Sequence, residues 1–260
     1  MMLKENFNFY FSLFLLVFLG IPLLSFLFLY LRKRKRGVEE DTSLGHSFLI
    51  QYKWREGWVQ FLTPIEYFFL RYKIPPNVLT FLGLLLSFLC AIAIAQGFIS
   101  LGGFFLILAA VCDIFDGRIA RLTNKVSCKG ALLDSVLDRI GEFVILCGFL
   151  LYFLNKGVYL KANLELYVML VLIFSSFMTS YLRARAESLG IPAKVGWIQR
   201  PERIAVLIIG SCLSPFFVMI PLFHEWSFML IVLDLLALAS LITVLQRTLY
   251  ILKRTDIMET

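Results

Sequence analysis

Residues Asp113 to Asp138 read DIFDGRIARLTNKVSCKGALLDSVLD. Four aspartates, Asp113, Asp116, Asp134 and Asp138, fall in this stretch of a 260-residue chain that is 60% hydrophobic and has mean hydropathy +0.83. Soluble domains run at roughly 45–50% apolar residues. Phe alone contributes 26 positions here. A soluble core of this size cannot use so much apolar surface, so the composition indicates a polytopic all-α membrane protein. A carboxylate at mid-membrane costs roughly 2.5–3.5 kcal/mol on insertion scales, so four unpaired ones would cost on the order of 10 kcal/mol. Something in the folded molecule must offset that.

At 100° per residue, Asp113, Asp116, Gly117, Ala120 and Arg121 fit within an arc of about 140° on one helix. Phe115, Ile119 and Leu122 occupy its opposite face. On the next helix Gly130, Asp134, Asp138 and Gly141 share an arc of about 80°, with Leu132, Leu133, Val136 and Ile140 turned away. The connection is short, so two stripes of carboxylates and small residues can face each other. Clustered oxygens without histidine or thiol suit hard divalent cations such as Mg²⁺ or Mn²⁺. Two such ions would neutralise the cluster and clamp a phosphoryl group. A buried ion-pair network with Arg118, Arg121 and Arg139 is the competing reading.

Seven apolar segments surround this stretch. The first, Phe7–Leu31, would be about 37 Å long as a helix, enough to span with tilt. It is too long for a signal peptide and lacks a small-residue cleavage site. It ends at the basic run Arg32–Arg36. The others are Asn77–Gln96, Leu101–Leu122, Ala131–Leu154, Leu164–Arg183, Arg203–Leu222 and Ser227–Thr248. If Arg32–Arg36 is cytoplasmic, alternation leaves only Lys4, Lys156 and Lys161 of the 25 Lys and Arg residues outside. The positive-inside rule therefore accounts for the net charge of +7, with anionic membrane lipids as partners and no need for nucleic acid.

Between the first two spans, Trp54, Trp58, Phe61, Leu62, Ile65, Phe68 and Phe69 share one helical face. Arg55, Glu56, Gln60, Thr63 and Glu66 lie largely on the other, the pattern of an interfacial helix interrupted near Pro64. Pro75 and Pro76 then turn the chain into the membrane. Cys90, Cys112, Cys128, Cys147 and Cys212 show no CxxC spacing and read as reduced structural residues. His46 and His224 are too far apart in sequence to suggest a shared site.

The segments DIFDGRIAR and GALLDSVLD together resemble the CDP-alcohol phosphotransferase signature, D-x-x-D-G-x-x-A-R followed after eight residues by G-x-x-x-D-x-x-x-D. Every fixed position is present, as Asp113, Asp116, Gly117, Ala120, Arg121, Gly130, Asp134 and Asp138. The resemblance covers roughly residues 58–250. It implies a six-helix membrane core, here preceded by an extra N-terminal transmembrane helix. It also implies transfer of a phosphatidyl group from a CDP-linked lipid such as CDP-diacylglycerol to an alcohol, with release of CMP. By the same resemblance Asp113, Asp116, Asp134 and Asp138 hold two ions of Mg²⁺ or Mn²⁺, and Asp138 is the general base. Gly117, Ala120, Arg121, Ser127 and Gly130 would border the cytidine nucleotide together with Asp113, with Asn77 and Thr80 nearby. A homodimer is implied as well.

The segment SYLRARAESLGIPAKVGWIQRPER, Ser180–Arg203, bears on the acceptor. Arg183, Arg185, Arg200 and Arg203 gather at one mouth, with Arg247 expected close by. Ordinary positive-inside anchoring would explain them; so would an anion pocket, because the planar guanidinium binds phosphate oxygens in pairs. With DSVLDR, Asp134–Arg139, the segment is similar to the phosphatidylinositol phosphate synthase branch, whose members use inositol 1-phosphate. That resemblance assigns Arg183, Arg185, Arg203 and Arg247 to the acceptor phosphate. Glycerol 3-phosphate also carries a phosphate, so a phosphatidylglycerophosphate synthase is the alternative. An intramembrane prenyltransferase and a cation transporter fit less of the pattern.

The expected organisation is an anchor and basic stop over 1–36, a linker with the interfacial helix over 37–75, a catalytic domain over 76–250 and a tail over 251–260. The expected setting is a bacterial or archaeal plasma membrane, with the site facing the cytoplasm. Glu142, one turn after Asp138, reads as a structural neighbour of Arg139. Asp234 lies within the last span, outside the matched motif.

Overall fold

Away from water an apolar segment must satisfy its own backbone donors and acceptors, which favours helices. The computed structural model describes residues 3–18, 65–155, 162–193, 195–218 and 227–259, and every regular element among them is helical. Among the described residues, helix α1 is seen over 3–18 and α2 over 65–71. Six longer helices follow: α3 Pro76–Ala95, α4 Ile99–Leu122, α5 Cys128–Asn155, α6 Ala162–Ser188, α7 Arg200–Val218 and α8 Ser227–Glu259. These match the six later segments read from the sequence. The main difference is at α8, which continues past Thr248. Its final turns pack Tyr250 and Ile251 against Leu182, Ala186, Ile191 and Ala193, so a packed face carries the helix past its membrane-apolar part.

Among the described residues, α3, α4, α6 and α8 are long and apolar enough to cross a membrane. Helices α5 and α7 fall outside that set, and they carry Asp134, Asp138, Arg139, Glu142, Arg200 and Arg203. The first expected span is helical over its described part. Residues 19–31, the basic run 32–36 and the interfacial segment up to Pro64 lie outside the described residues. Of that segment α2 is seen, with Ile65, Tyr67 and Phe68 exposed and Glu66 buried.

Each of the six long helices packs chiefly on two others, closing a ring in the order α3, α4, α7, α8, α6, α5 and back to α3. Helices α4 and α5 therefore lean on α3 rather than on each other, and a cleft opens between them at the aspartate end. Small residues let α3 sit this close. A Cβ on Gly148 would lie 2.6 Å from the Cα of Ala91, and one on Gly141 would lie 3.0 Å from Ser87 Oγ. Gly148→Val is therefore expected to lower stability by about 1–3 kcal/mol through overpacking. Thermal unfolding in detergent checks this; an unchanged midpoint would contradict the close α3–α5 approach.

Helix α1 is built into this bundle. Lys4 Nζ donates to Gln96 O at 2.7 Å, and Asn8 Nδ2 donates to Gly97 O at 2.8 Å. Ser100 Oγ donates to Asn8 O at 2.9 Å and lies 2.8 Å from Ser12 Oγ. Phe11 meets Phe104, and Phe9 meets Phe216 on α7. Contacts advance along both chains in the same order, so α1 and α4 run in the same direction.

Candidate active site

Helix α4 carries Asp113, half-buried, and Asp116, buried, on the face turned to the cleft. Across the cleft α5 supplies Asp134. Carboxylate oxygens of Asp113, Asp116 and Asp134 all lie within 4.8 Å of one another. Asp116 Oδ2 and Asp134 Oδ1 are buried and have no hydrogen-bond partner. An unsatisfied buried acceptor costs roughly 1–3 kcal/mol, more when charged. No arginine among the described residues forms a salt bridge with Asp116 or Asp134, although Arg200 and Arg139 lie within electrostatic reach of Asp134, so the ion-pair reading is disfavoured most for Asp116. Arg118 turns instead to Glu66 on α2, with Nε donating to Oε2 at 3.0 Å. Three converging carboxylates with unpartnered oxygens fit a hard divalent cation.

Asp138, one turn beyond Asp134, joins the cluster differently. Its Oδ2 lies 2.5 Å from Arg200 Nη1, and the same nitrogen is 3.4 Å from Asp113 Oδ2. Arg200 thus reaches from the start of α7 to both helices of the cleft. The sequence reading placed Arg200 at the mouth but gave it no site role. The signal was there: Arg200 precedes Arg203 by three residues, so both lie on nearly the same face of α7.

The residues expected at the nucleotide come together where α3 begins, α4 ends and α5 begins. Thr80 lies beside Asp116. A Cβ on Gly130 would lie 4.0 Å from Asn77 Oδ1 and 3.1 Å from Ser127 Oγ. Ser127 also has a local job: its Oγ accepts from Gly130 N at 3.1 Å, capping the start of α5. Gly117 leaves space along α4, and the Arg121 guanidinium is its nearest neighbour, at 3.5 Å from where a Cβ would sit. Ala120 is half-buried on the same stripe.

The arginines divide. Arg203 is only 2% exposed. Its Nε donates to Glu142 Oε1 at 2.7 Å, Nη1 to Thr179 Oγ1 at 3.2 Å and Nη2 to Ser176 Oγ at 3.3 Å. Arg247 is 3% exposed, donating Nε to Val195 O at 2.7 Å and Nη1 to Thr179 O. Arg183 is exposed and pairs with Glu187 at 2.9 Å. Arg139, Arg183 and Arg203 all lie within electrostatic reach of Arg247. Arg185 is exposed two residues beyond Arg183, which places it on another face of α6. Ser176, Thr179 and Glu142 are the partners that sequence reasoning missed or left structural. Together with Arg203 they join α5, α6 and α7 at one point. Asp234 is exposed on α8 and stands apart from this constellation.

Comparison with known proteins fits this geometry. Residues 73–246 match the family model for CDP-alcohol phosphatidyltransferase. A phosphatidylinositol phosphate synthase of Cutibacterium acnes is 35% identical over 199 residues, covering 74% of this chain and 93% of that protein. An archaetidylinositol phosphate synthase of Methanothermobacter thermautotrophicus is 32% identical over 184 residues, covering 71% and 86%. The crystal structure of Mycobacterium tuberculosis phosphatidylinositol phosphate synthase with CDP-DAG bound superposes with TM-score 0.64 at 30% identity, covering 74% of this chain and 94% of that one. The same enzyme in complex with manganese and citrate superposes with TM-score 0.63 at 30% identity, covering 73% and 88%. The aspartate cleft sits inside the matched region, at the meeting of the helices that carry the motif, and the chain belongs to the CDP-alcohol phosphatidyltransferase family.

Proposed function

We propose that this enzyme transfers the phosphatidyl group of CDP-diacylglycerol to the hydroxyl of inositol 1-phosphate and releases CMP. The supporting observation is a metal-fitting aspartate triad with Arg200 reaching both Asp113 and Asp138, and Arg203 held one turn further along α5 at Glu142. A phosphorylated acceptor explains why the arginines stand beside the carboxylates.

Asp113, Asp116, Asp134 and Asp138 would hold Mg²⁺ or Mn²⁺, which when bound neutralises phosphate charge and orients the diphosphate. Asn77, Thr80, Gly117, Ala120, Arg121, Ser127 and Gly130 border the cytidine nucleotide. Arg183 receives the acceptor phosphate from the open side of the mouth; Arg185, on another face of α6, stands outside this pocket. Arg203 and Arg247 complete the pocket with the N–H groups not given to Glu142, Ser176, Thr179 and Val195. Asp138 takes the proton of the attacking hydroxyl. The new bond forms between the acceptor oxygen and the lipid-side phosphorus, the bond from that phosphorus to CMP breaks, and the proton rests on Asp138.

The site faces the cytoplasm in this reading. Its support is the concentration of Lys and Arg at the aspartate end, together with the shared direction of α1 and α4. Residues 1–36 serve as an anchor, 37–75 as linker and interfacial helix, 76–250 as the catalytic domain and 251–260 as its tail.

CMP release by the purified protein tests this, with CDP-diacylglycerol, Mg²⁺ or Mn²⁺, and inositol 1-phosphate or glycerol 3-phosphate in parallel. Release with inositol 1-phosphate is expected. Release with glycerol 3-phosphate alone would make the protein a phosphatidylglycerophosphate synthase, and release with neither would overturn the proposed acceptor class.

A further inference from the structure

On the side of α4 away from the aspartates there is a cavity of about 110 Å³, where α2, the turn into α3 and the end of α4 meet. Its walls are Phe69, Leu70, Ile74 and Ile119, and Lys73 and Lys125 also line it, with Thr123 between. Ile119 and its neighbour Phe115 form the buried apolar face of α4, so the cavity is separated from the carboxylate cleft by the helix itself. Among the described residues no acidic one lines it.

Both lysines are presented by constrained turns. Lys73 has φ +50°, and Asn124, just before Lys125, has φ +54°. Left-handed backbone at non-glycine residues is uncommon and carries strain that the surroundings must hold. The backbone groups of these turns are already bonded, Lys73 N to Leu70 O, Ile74 N to Phe69 O and Lys125 N to Ala120 O. Neither ammonium group has a hydrogen bond or ion pair among the described residues. Two cations beside an apolar wall suit an anion carrying a hydrocarbon body.

The position narrows the ligand class. Helix α2 exposes Ile65, Tyr67 and Phe68, and Tyr72 follows it, the amphipathic aromatic surface of a membrane interface. The volume is below the roughly 300–1,000 Å³ of pockets that enclose a whole drug-sized ligand. It admits a headgroup phosphate and the first carbons attached to it, while the remainder of the molecule stays in the bilayer. Anionic lipids are concentrated at the cytoplasmic surface, where lysines meet them.

We propose that this corner binds the phosphate of an anionic phospholipid, at a site separate from the catalytic cleft. The proposal rests on the cytoplasmic orientation given above but not on the identity of the acceptor, so it can fail while CMP release stands. Native mass spectrometry of the full-length protein would compare retention of phosphatidylglycerol with phosphatidylcholine of the same acyl chains. Wild type is expected to retain phosphatidylglycerol at least about fivefold better, and the Lys73→Gln/Lys125→Gln variant to lose that preference to within about twofold. If the double variant cannot be purified, Lys125→Gln alone, on an exposed turn, should show an intermediate loss. An unchanged preference in the lysine variants overturns the site. So does a preference lost in Asp113→Asn but kept in the lysine variants, which would place the lipid in the cleft. Abolition of the preference by millimolar inorganic phosphate would mean a free-phosphate site and overturn the lipid assignment.

Discussion

Asp138→Asn should lower CMP release by about 10²–10⁴-fold while the protein still binds Mn²⁺ and the CDP-linked lipid. General-base removal has that magnitude. Asp138 is a better candidate base than its neighbours because the three carboxylates that converge are Asp113, Asp116 and Asp134. Asp138 stands one turn away, held by Arg200 at 2.5 Å and in side-chain contact with Asp113 at the edge of the triad. Asparagine keeps the size and an acceptor oxygen for Arg200 but cannot take a proton at neutral pH. Asp116→Asn should behave differently, because it removes charge from a buried donor in the triad and so weakens Mn²⁺ binding itself. Manganese titration by electron paramagnetic resonance, alongside the CMP assay, separates the two. If Asp138→Asn lost metal binding as completely as Asp116→Asn, Asp138 would be chiefly a ligand and the base would have to be sought elsewhere.

The carboxylate cleft was legible in the sequence because its determinants are local. Asp113 and Asp116 are three apart on one helix, Asp134 and Asp138 four apart on the next, and helical geometry alone puts each pair on one face. Apolar run length placed six helices for a similar reason. What the sequence could not show was which arginine faces which acid. Arg118, inside the motif, turns out to Glu66, which lies 52 residues earlier. Arg200, 62 residues after Asp138, crosses the bundle to reach it. These pairings depend on ring order, and nothing local encodes that α7 lies beside α4 while its first turn points toward α5. The seating of α1 was also out of reach. Asn8 and Ser12 look like incidental polar residues in a span until Gly97 and Ser100 are seen to receive them.

Removing one member of the Glu142–Arg203 pair should destabilise the protein by about 3–5 kcal/mol, whereas replacing both should recover most of that loss. Each side chain of the pair is 2% exposed, and the N···O distance is 2.7 Å. Arg203→Met would leave the Glu142 carboxylate buried without its cation, and Glu142→Met would leave a buried guanidinium without its anion. The double variant Glu142→Met/Arg203→Met has no uncompensated charge at that depth, and apolar side chains of similar length can fill the space. Thr179 Oγ1 loses Arg203 but keeps its bond to Ser176 O at 2.9 Å, so the replacement leaves that hydroxyl satisfied. Stability and function then part company. Thermal unfolding of the double variant should approach wild type, yet its KM for the phosphorylated acceptor should rise about tenfold or more, with the KM for the CDP-linked lipid within about twofold. Arg203 contributes to acceptor binding only if the folded double variant shows that split. A double variant with wild-type stability and wild-type KM for both substrates would make the pair a purely structural brace between α5 and α7. A double variant as unstable as the single ones would mean that the helices depend on this ion pair for their packing.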